Sequence, residues 1–380
     1  MMKKIAAFLV LAVLLCALTG CTGTPVVYVN ECDCPTAAPT AEPTAEPTAE
    51  PTVEPTAEPV ATEAPVATEA PAAEAASMKT GLYIGADLSD SKSAAGEEAG
   101  EAKYDVTVVA VALDEAGVIQ SCIIDSVPAS VAFDASGAIT SDIAAAVLTK
   151  NELGENYGMK AYGGAKYEWN EQVAALAEYA VGKTVEELKN GAVNESGKAA
   201  DADLATTATI YLGGYVAGIE AAAANAQDLG AKVGDELRLA IVPSLTSSAA
   251  ATAEKDGVAQ LDADVTVLTM NNGVITACLI DSLQAKVGFN AAGEITADLT
   301  AAVKTKNELG EAYGMKAYAG SAYEWNEQAA AFAAYVTGKT ADEVAGIAVN
   351  EKTAPTDADI ASTVTIAVGG FQNLIVKAAK

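Results

Sequence analysis

The chain has 380 residues, with 51 acidic residues against 22 basic ones and a formal net charge of −29. A surface this negative repels phosphate backbones, which argues against nucleic acid as a partner. The sequence contains no histidine, the commonest general base and metal ligand, and this argues against hydrolytic triads and zinc catalysis.

The chain begins with a predicted signal peptide, residues 1–20. Two lysines precede an apolar run that is too short to span a membrane. The tetrad LTGC that follows resembles the lipobox of bacterial lipoproteins, in which the cysteine is lipidated and becomes the new N-terminus. The resemblance implies that Cys21 anchors the protein to the extracytoplasmic face of a bacterial cell membrane. Ordinary secretion, with no role for Cys21, is the alternative.

Residues 21–77 are predicted to form the lipid anchor and a stalk. From residue 35 to residue 77 the chain consists mainly of Pro, Thr, Ala and Glu, with the unit AEPT repeating. Such a segment buries little apolar area, and its prolines favour an extended backbone. At about 3.1 Å per residue it reaches on the order of 100 Å. A disordered tether of no particular reach is the alternative, and it predicts the same localisation.

The remaining chain contains one sequence unit that occurs twice. A 24-residue block that starts at Thr149 returns at Thr305, 156 positions later, with four changes. A period this long indicates duplicated domains rather than a solenoid. We predict repeat 1 over residues 78–229 and repeat 2 over residues 230–380.

The two repeats differ in length at one connection. The motif DVTV starts at residue 105 and again at residue 264, 159 positions later, whereas the downstream motifs are 156 positions apart. This alignment places three extra residues in repeat 1, before Gly117. A length change confined to one point is typical of a hairpin tip.

Strands are predicted first in each repeat. In repeat 1, residues 80–86 have a strand pattern, and the β-branched stretches 104–113 and 118–126 predict a hairpin. Residues 131–140 predict a second hairpin that turns at a glycine. The scaffold is therefore expected to be an antiparallel sheet.

Helices are predicted to follow the strands. Residues 168–181 carry apolar side chains at helical spacing, and Thr184 with Glu187 has the spacing of a capping box that starts a short second helix. An alanine-rich helix is predicted over residues 215–225. The order of elements predicts an α+β fold of two tandem homologous domains, each an antiparallel sheet followed by two or three helices.

The duplicated block is one candidate functional region, because it is rich in aromatic and polar side chains. We see two readings: a ligand site lined by aromatic and amide groups, or a polar connection whose aromatic residues pack on the sheet. The candidate residues are Lys150, Asn151, Glu152, Tyr157, Lys160, Tyr162, Trp169 and Asn170, with Tyr313 and Trp325 in repeat 2.

A second candidate region is DADLATTATI at 201–210, which is matched by DADIASTVTI at 357–366. It resembles the late D-x-x-[ST]-G-A-T signature of the FMN-binding domain of extracytoplasmic quinone reductase subunits and Gram-positive surface flavoproteins. In that family the last threonine receives FMN through a phosphoester bond installed by a flavin transferase. Carried over by position, the cofactor-binding residues are Asp203, Thr206 and Thr209 in repeat 1, and Asp359, Ser362 and Thr365 in repeat 2.

The chain departs from that signature at two points. The family's glycine is Thr207 in repeat 1 and Thr363 in repeat 2. In addition, the segments TATIYL and TVTIAV alternate like strands, whereas the family's threonine opens a helix. The sequence therefore predicts a strand at the threonine in each repeat.

The resemblance implies a cell-surface lipoprotein with two FMN-binding-like domains that acts as an extracytoplasmic electron carrier. Its partners would be the membrane, a flavin transferase and a redox partner. The alternative is a non-enzymatic extracellular lipoprotein that binds a ligand or partner and holds no flavin. Neither reading requires a turnover enzyme, since the sequence offers no pair of nucleophile and base.

Overall fold

The computed structural model describes residues 75–380. The predicted signal peptide, Cys21 and nearly all of the predicted stalk lie outside the described residues. Within the described part, no helix combines the length and the apolar character needed to cross a membrane.

Seven strands form two antiparallel sheets. The first sheet has the order β3-β2-β1-β4 and the second the order β5-β6-β7. The last strand of the first sheet lies across the boundary that the sequence predicts between the repeats. The strands are β1 (Ser77–Asp87), β2 (Gly100–Asp114), β3 (Ile119–Phe133), β4 (Gln227–Lys232), β5 (Glu236–Ser244), β6 (Gly257–Asn271) and β7 (Val274–Phe289).

The two sheets face each other and share one apolar core. Strand β3 contacts β5 along one side and β4 contacts β7 along the other, so the seven strands surround this core. At one end, the ring of Phe133 stacks on the ring of Phe289 with 4.2 Å between centroids and 4° between planes. Because these residues are equivalent in the two repeats, the stack marks an approximate two-fold relation between them.

Reciprocal backbone hydrogen bonds support the same relation. The N–H of Ala94 donates to the carbonyl oxygen of Gly293, and the N–H of Ala251 donates to that of Gly137, both at 2.8 Å. Each repeat therefore gives the other the same contact.

Helices cover the outer face of each sheet and form a second apolar layer with it. The prediction of an α+β fold is confirmed, and the predicted helices 168–181 and 215–225 are present as α2 and α5. In each repeat, the duplicated block also contains a 3₁₀ turn. The helices are α1 (Lys150–Leu153), α2 (Trp169–Ala180), α3 (Val185–Gly191), α4 (Ala202–Thr207), α5 (Gly213–Ala224), α6 (Lys306–Leu309), α7 (Met315–Ala319), α8 (Trp325–Val336), α9 (Ala341–Ala345), α10 (Ala358–Ala361) and α11 (Gly369–Ala378).

The strand register corrects the predicted alignment of the repeats. Gly100 pairs with Phe133, and Gly257 pairs with Phe289, so residues of the second strand are 157 positions apart while those of the third are 156 apart. The hairpin of repeat 1 is therefore longer by one residue, not by three.

The two DVTV motifs are consequently not equivalent in space. Asp105 corresponds to Asp262, and Asp264 corresponds to Thr107. A shift of two residues along a strand keeps every side chain on its own face, and so the apolar pattern tolerates it.

The second predicted hairpin is present in a shortened form: after β3 the chain turns at residues 134–137 and returns antiparallel through a single bridge between Phe133 and Ile139, with no return strand beyond it. The strand predicted after α4 is wrong. Residues 208–212 form a loop between α4 and α5 instead of a strand. Their alternating pattern arises because Ala208 and Leu212 are buried under the helical layer while the residues between them are more exposed.

Candidate functional site

Repeat 1 has an open cleft of about 580 Å³ on the outer face of its sheet. Strands β1 and β2 form its floor. The duplicated block and the start of α2 form one wall, and the loop before α5 with the first turn of α5 forms the other. Five aromatic side chains and one lysine give the cleft its character: Tyr83, Tyr157, Trp169, Tyr211, Tyr215 and Lys150.

Hydrogen bonds hold the duplicated block against the sheet and the helix. The N–H of Asn151 donates to Asp125 Oδ1 of β3 at 3.0 Å. The carboxylate of Glu168, at the start of α2, accepts the N–H groups of Met159 and Lys160 at 2.8 and 3.0 Å. The aromatic residues between these anchor points are therefore fixed relative to the cleft floor.

Lys150 is a buried cation at the base of the cleft, with only 4% of the residue exposed. Its Nζ lies 3.1 Å from Asp105 Oδ1, 5.3 Å from the ring centroid of Tyr157 and 5.1 Å from that of Trp169. Burial acts to lower the pKa of Lys150, but Asp105, Tyr157 and Tyr215 more than offset it, so this pKa lies above its ordinary value. The lysine therefore stays charged at neutral pH, and the cation and the rings attract each other.

Trp169 and Tyr215 form a rigid aromatic wall. The Trp169 Nε1–H donates to the Tyr215 hydroxyl at 2.9 Å, and the two rings meet edge to face at 5.8 Å between centroids. Burial raises the pKa of Tyr215, so its hydroxyl remains protonated.

The ring of Tyr83 depends on two glycines. A Cβ at Gly85 would clash with the Tyr83 hydroxyl oxygen, and a Cβ at Gly218 would lie 3.2 Å from the Tyr83 ring. Glycine at both positions makes room for this ring beside the cleft.

One end of the cleft is suited to an anion. Helix α5 starts at Gly213 and no side chain caps its N-terminus, and Gly214 lies in the cleft wall. The Nζ of Lys198 is held nearby, donating to the carbonyl oxygen of Thr209 at 2.8 Å. The carbonyl oxygen of Gly197 already accepts the Gly213 N–H at 3.2 Å, and the carboxylates of Asp87 and Asp105 also line the cleft. It is therefore the helix dipole with the lysines Lys150 and Lys198 that favours a negative group at this end.

The two threonines predicted as flavin carriers have the same surroundings in both repeats. In repeat 1, Gln172 Oε1 accepts the N–H of Thr209 at 2.8 Å, its hydroxyl at 3.1 Å and the N–H of Ile210 at 3.1 Å. Gln328 does the same for Thr365. Both glutamines are fully buried, and both threonines are exposed. Thr209 stands beside the cleft, because Ile210 lines it.

The other residues carried over from the flavin signature do not line the cleft. Asp203 and Thr206 are exposed on α4, where the Thr206 hydroxyl donates to the Asp203 carbonyl oxygen at 2.7 Å. Asp359 and Ser362 are equally exposed, in and just after α10. Their hydrogen bonds belong to local helix turns.

Repeat 2 keeps the lysine and the rings but changes their surroundings. Lys306 Nζ lies 5.3 Å from the centroid of Tyr313 and 4.8 Å from that of Trp325. Phe371 replaces Tyr215, so the Trp325 indole has no hydroxyl partner there.

A carboxylate of repeat 2 also lies at the start of its last helix. Asp264 stands where repeat 1 has Thr107, and its Oδ2 is 3.9 Å from the Cβ position of Gly370 at the N-terminus of α11. Burial raises the pKa of Asp264, whereas Ser282 and Lys306 act to lower it. Repeat 2 thus has a carboxylate at this helix end, whereas repeat 1 has the uncharged Thr107 at the equivalent position.

The space around Tyr83 is filled by aliphatic groups in repeat 2. Ala240 stands at the position of Tyr83, and Leu374 at the position of Gly218, and both are buried. In repeat 1 the large side chain is on the strand, at Tyr83, and the helix has Gly218. In repeat 2 the large side chain is on the helix, at Leu374, and the strand has Ala240.

Sequence reasoning identified Lys150, Tyr157 and Trp169 but missed several partners. The shifted alignment of the two DVTV motifs concealed the role of Asp105 as the partner of Lys150. Tyr83 lies on the outer face of β1, which strand alternation alone would have indicated. Tyr162, a predicted pocket residue, is 91% exposed and lies outside the cleft.

No family model, curated protein or solved structure matches the chain.

Proposed function

We propose that the protein is an extracytoplasmic binding lipoprotein whose repeat 1 cleft takes a flat aromatic molecule with an anionic group. FMN is the candidate ligand. The observation that carries this proposal is the buried Lys150, which holds a positive charge between the rings of Tyr157 and Trp169 at the base of an aromatic cleft. The membrane address rests on the sequence around Cys21 alone.

Size and chemistry support this choice. A cleft of about 580 Å³ lies within the usual range of small-molecule sites. Its aromatic walls suit a stacked ring system, and the N-terminus of α5, which has no side-chain cap, suits a phosphate together with Lys198. A bound flavin would bring redox chemistry, which makes electron transfer the finer proposal.

We propose one ligand per chain, in repeat 1. The carboxylate of Asp264 stands beside the N-terminus of α11 and faces Lys306, so an added anion would meet a like charge in repeat 2. Repeat 2 also has Ala354 at the position of Lys198. Its role would be to complete the shared core.

Binding is proposed to be non-covalent in the first place. Gln172 engages the Thr209 hydroxyl, and Gln328 engages Thr365 in the same way, which gives both threonines a structural role without a cofactor. Covalent attachment at Thr209, as the resemblance implies, is the finer proposal. The observation about the glutamines favours the second candidate function, a binding lipoprotein that holds no flavin.

A fluorescence titration with FMN tests the proposal on the full chain. The protein has two tryptophans, Trp169 and Trp325, so Trp325→Phe leaves Trp169 as the only indole reporter. We expect FMN to quench Trp169 with one equivalent per chain. Riboflavin, which lacks the phosphate, should bind more weakly.

Matched lysine variants show whether the charge matters. Lys150→Met should weaken FMN binding by about tenfold or more, because a charge-assisted contact is lost. Lys306→Met, the same change in repeat 2, should leave the affinity unchanged. Unquenched Trp169 at millimolar FMN, or equal effects of both variants, would rule out the proposed site.

Mass spectrometry separates covalent from non-covalent binding. After coexpression with a flavin transferase, attachment predicts an FMN adduct that Thr209→Ala removes and Thr365→Ala retains. Saturable quenching without an adduct would assign non-covalent binding, and colourless protein that fails to bind FMN would favour the flavin-free lipoprotein.

A further inference from the structure

A lysine of repeat 2 contacts the turn α1, which carries Lys150 at the base of the repeat 1 cleft. The Nζ of Lys377 in α11 lies 2.6 Å from Glu152 Oε1. Lys377 is itself fixed, because its Nζ donates to the carbonyl oxygen of Ile241 in β5 at 2.6 Å. A short series of contacts therefore joins β5 of repeat 2 to the turn beside the cleft.

Glu152 also bonds to the backbone of α1. Its Oε2 accepts the N–H of Thr149 at 2.9 Å, and the Thr149 hydroxyl accepts the N–H of Glu152 at 3.2 Å. Burial acts to raise the pKa of Glu152, but the hydrogen bonds from Lys377 and Thr149 more than offset it, so this pKa lies below its ordinary value. The ionised carboxylate thus holds Lys377 with one oxygen and the start of the turn with the other. Lys150 lies between the two bonded residues of the turn.

Repeat 2 has the same turn without the lysine. Residues 149–155 and 305–311 have the identical sequence TKNELGE, and both turns have the same capping box. In α5 the position of Lys377 is occupied by Ala221, and among residues 75–380 Glu308 forms no ion pair. Repeat 2 therefore gives repeat 1 a contact that it does not receive, unlike the reciprocal backbone bonds of the core.

We propose that Lys377 is a positioning residue for the repeat 1 cleft. Through Glu152 it fixes the turn that places the ammonium group of Lys150 between the rings of Tyr157 and Trp169. Repeat 2 thereby supports the binding geometry of repeat 1, although none of its residues lines the cleft. The inference rests on the proposed function for its ligand, whereas the positioning itself is testable without one.

Amide hydrogen exchange of the full chain, followed by NMR, tests the contact. The N–H groups of Asn151 and Asn307 have the same neighbours in sequence, so their intrinsic exchange rates are equal. Lys377→Met should speed exchange at Asn151 by about threefold, as expected for the loss of a partly exposed ion pair, and should leave Asn307 unchanged. Lys377→Arg keeps the charge and should restore the rate of the parent protein.

Lys189→Met is the matched control. Lys189 pairs with Glu220 between α3 and α5, and these side chains are 47% and 46% exposed, against 37% and 31% for Lys377 and Glu152. The control removes the same charge from the chain and a comparable ion pair that does not involve α1. It should leave exchange at Asn151 unchanged.

The indole N–H resonance of Trp169 reports the position of Lys150 without a ligand, because Lys150 Nζ lies 5.1 Å from the ring centroid. Lys150→Met gives the shift for complete loss of the cation. Lys377→Met should move the resonance in the same direction by a smaller amount, and Lys377→Arg should return it. In the quenching titration, Lys377→Met should weaken FMN binding by about threefold.

The outcomes separate this inference from the proposed function. If the parent protein binds FMN but Lys377→Met changes neither exchange at Asn151 nor the Trp169 resonance, the inference fails and the proposed function stands. If the parent protein does not bind FMN, the proposed function fails, and the exchange rates and the resonance still decide whether Lys377 positions Lys150. Equally faster exchange at Asn151 and Asn307 would show a general loosening of the fold and would also overturn the inference.

Discussion

The inner and outer faces of the two repeats have diverged to different extents. On the inner faces, Phe133 and Phe289 stack on each other, and the glycines opposite them, Gly100 and Gly257, leave room for both rings. On the outer faces, Lys150 forms an ion pair with Asp105, whereas in repeat 2 the carboxylate whose pKa Lys306 acts to lower is Asp264, at a different strand position. The shared core thus stays symmetric, while the solvent-facing clefts have become chemically distinct.

The position of the carboxylate accounts for much of this difference. In repeat 1, Asp105 forms the ion pair with Lys150 and lies two residues before Thr107 on the strand. In repeat 2, Asp264 occupies the position equivalent to Thr107. Moving the acid by two residues keeps it on the outer face but brings it to the end of the last helix. This difference is the basis of our proposal that repeat 1 accepts an external anion while repeat 2 holds an internal one.

The largest effect is expected from breaking the symmetric contact. Phe133→Ala and Phe289→Ala each remove a fully buried ring, so each should lower the free energy of unfolding by about 3–5 kcal/mol. Because the sites are equivalent, the two costs should agree within about 1 kcal/mol. Urea denaturation measures both.

The double variant provides the control. Its cost should be smaller than the sum of the single costs, since the second ring loses its stacking partner only once. If the two single variants lower the free energy of unfolding by clearly different amounts, the two halves of the core contribute unequally to stability even though their geometry is equivalent.

The next effect concerns the asymmetric clefts. Thr107→Asp places in repeat 1 the carboxylate that repeat 2 already has. Two like charges about 4 Å apart near a protein surface repel by up to about 4 kcal/mol, so FMN binding should weaken by roughly 30-fold to 1000-fold. The Trp169 quenching titration measures this affinity.

Thr107→Asn is the matched control, since it has a similar size without the charge. It should keep the FMN affinity within about threefold. Asp264→Asn, made in repeat 2, should leave the affinity of repeat 1 unchanged. If Thr107→Asn weakens binding as much as Thr107→Asp does, shape rather than charge governs the cleft.

Much of the fold was predictable because local patterns agreed with it. The long hairpin, α2, α5 and the capping box of Thr184 with Glu187 all follow from residues close in sequence. The cleft residues Lys150 and Trp169 were predictable because the duplication drew attention to their block.

The shared core and the loop at residues 208–212 were not predictable in this way. Alternation shows which face of a strand is buried but not what covers it, so the pairing of Phe133 with Phe289 is invisible locally. In the loop, buried Ala208 and Leu212 mimic strand alternation, while Gln172 takes the backbone N–H groups that a neighbouring strand would otherwise bind.

The smallest effect is expected at a matched pair of buried acids, Asp125 and Asp281. The Oδ1 of Asp281 accepts the N–H groups of Ser282 at 2.7 Å and Asn307 at 3.0 Å. Burial raises the pKa of Asp281 from its ordinary 3.8 to about 6, and it also raises the pKa of Asp125. The stability that this acid contributes is therefore fully present below pH 3.8 and is lost as the pH rises through 6.

Asp281→Asn keeps the Oδ1 acceptor and removes the charge, so it should stabilise the protein at pH 7.5 by about 1–3 kcal/mol. The gain should fall to roughly half at pH 5, where much of the parent acid is already protonated. Urea denaturation at both pH values measures it. Asp125→Asn should act with the same sign, because Asp125 holds Asn151 as Asp281 holds Asn307. A loss of stability at pH 7.5 in either variant would mean that the ionised carboxylate is needed to hold the duplicated block. The negative charge of the carboxylate would then hold the duplicated block in that repeat. The two repeats would share a symmetric core but would hold their duplicated blocks in different ways.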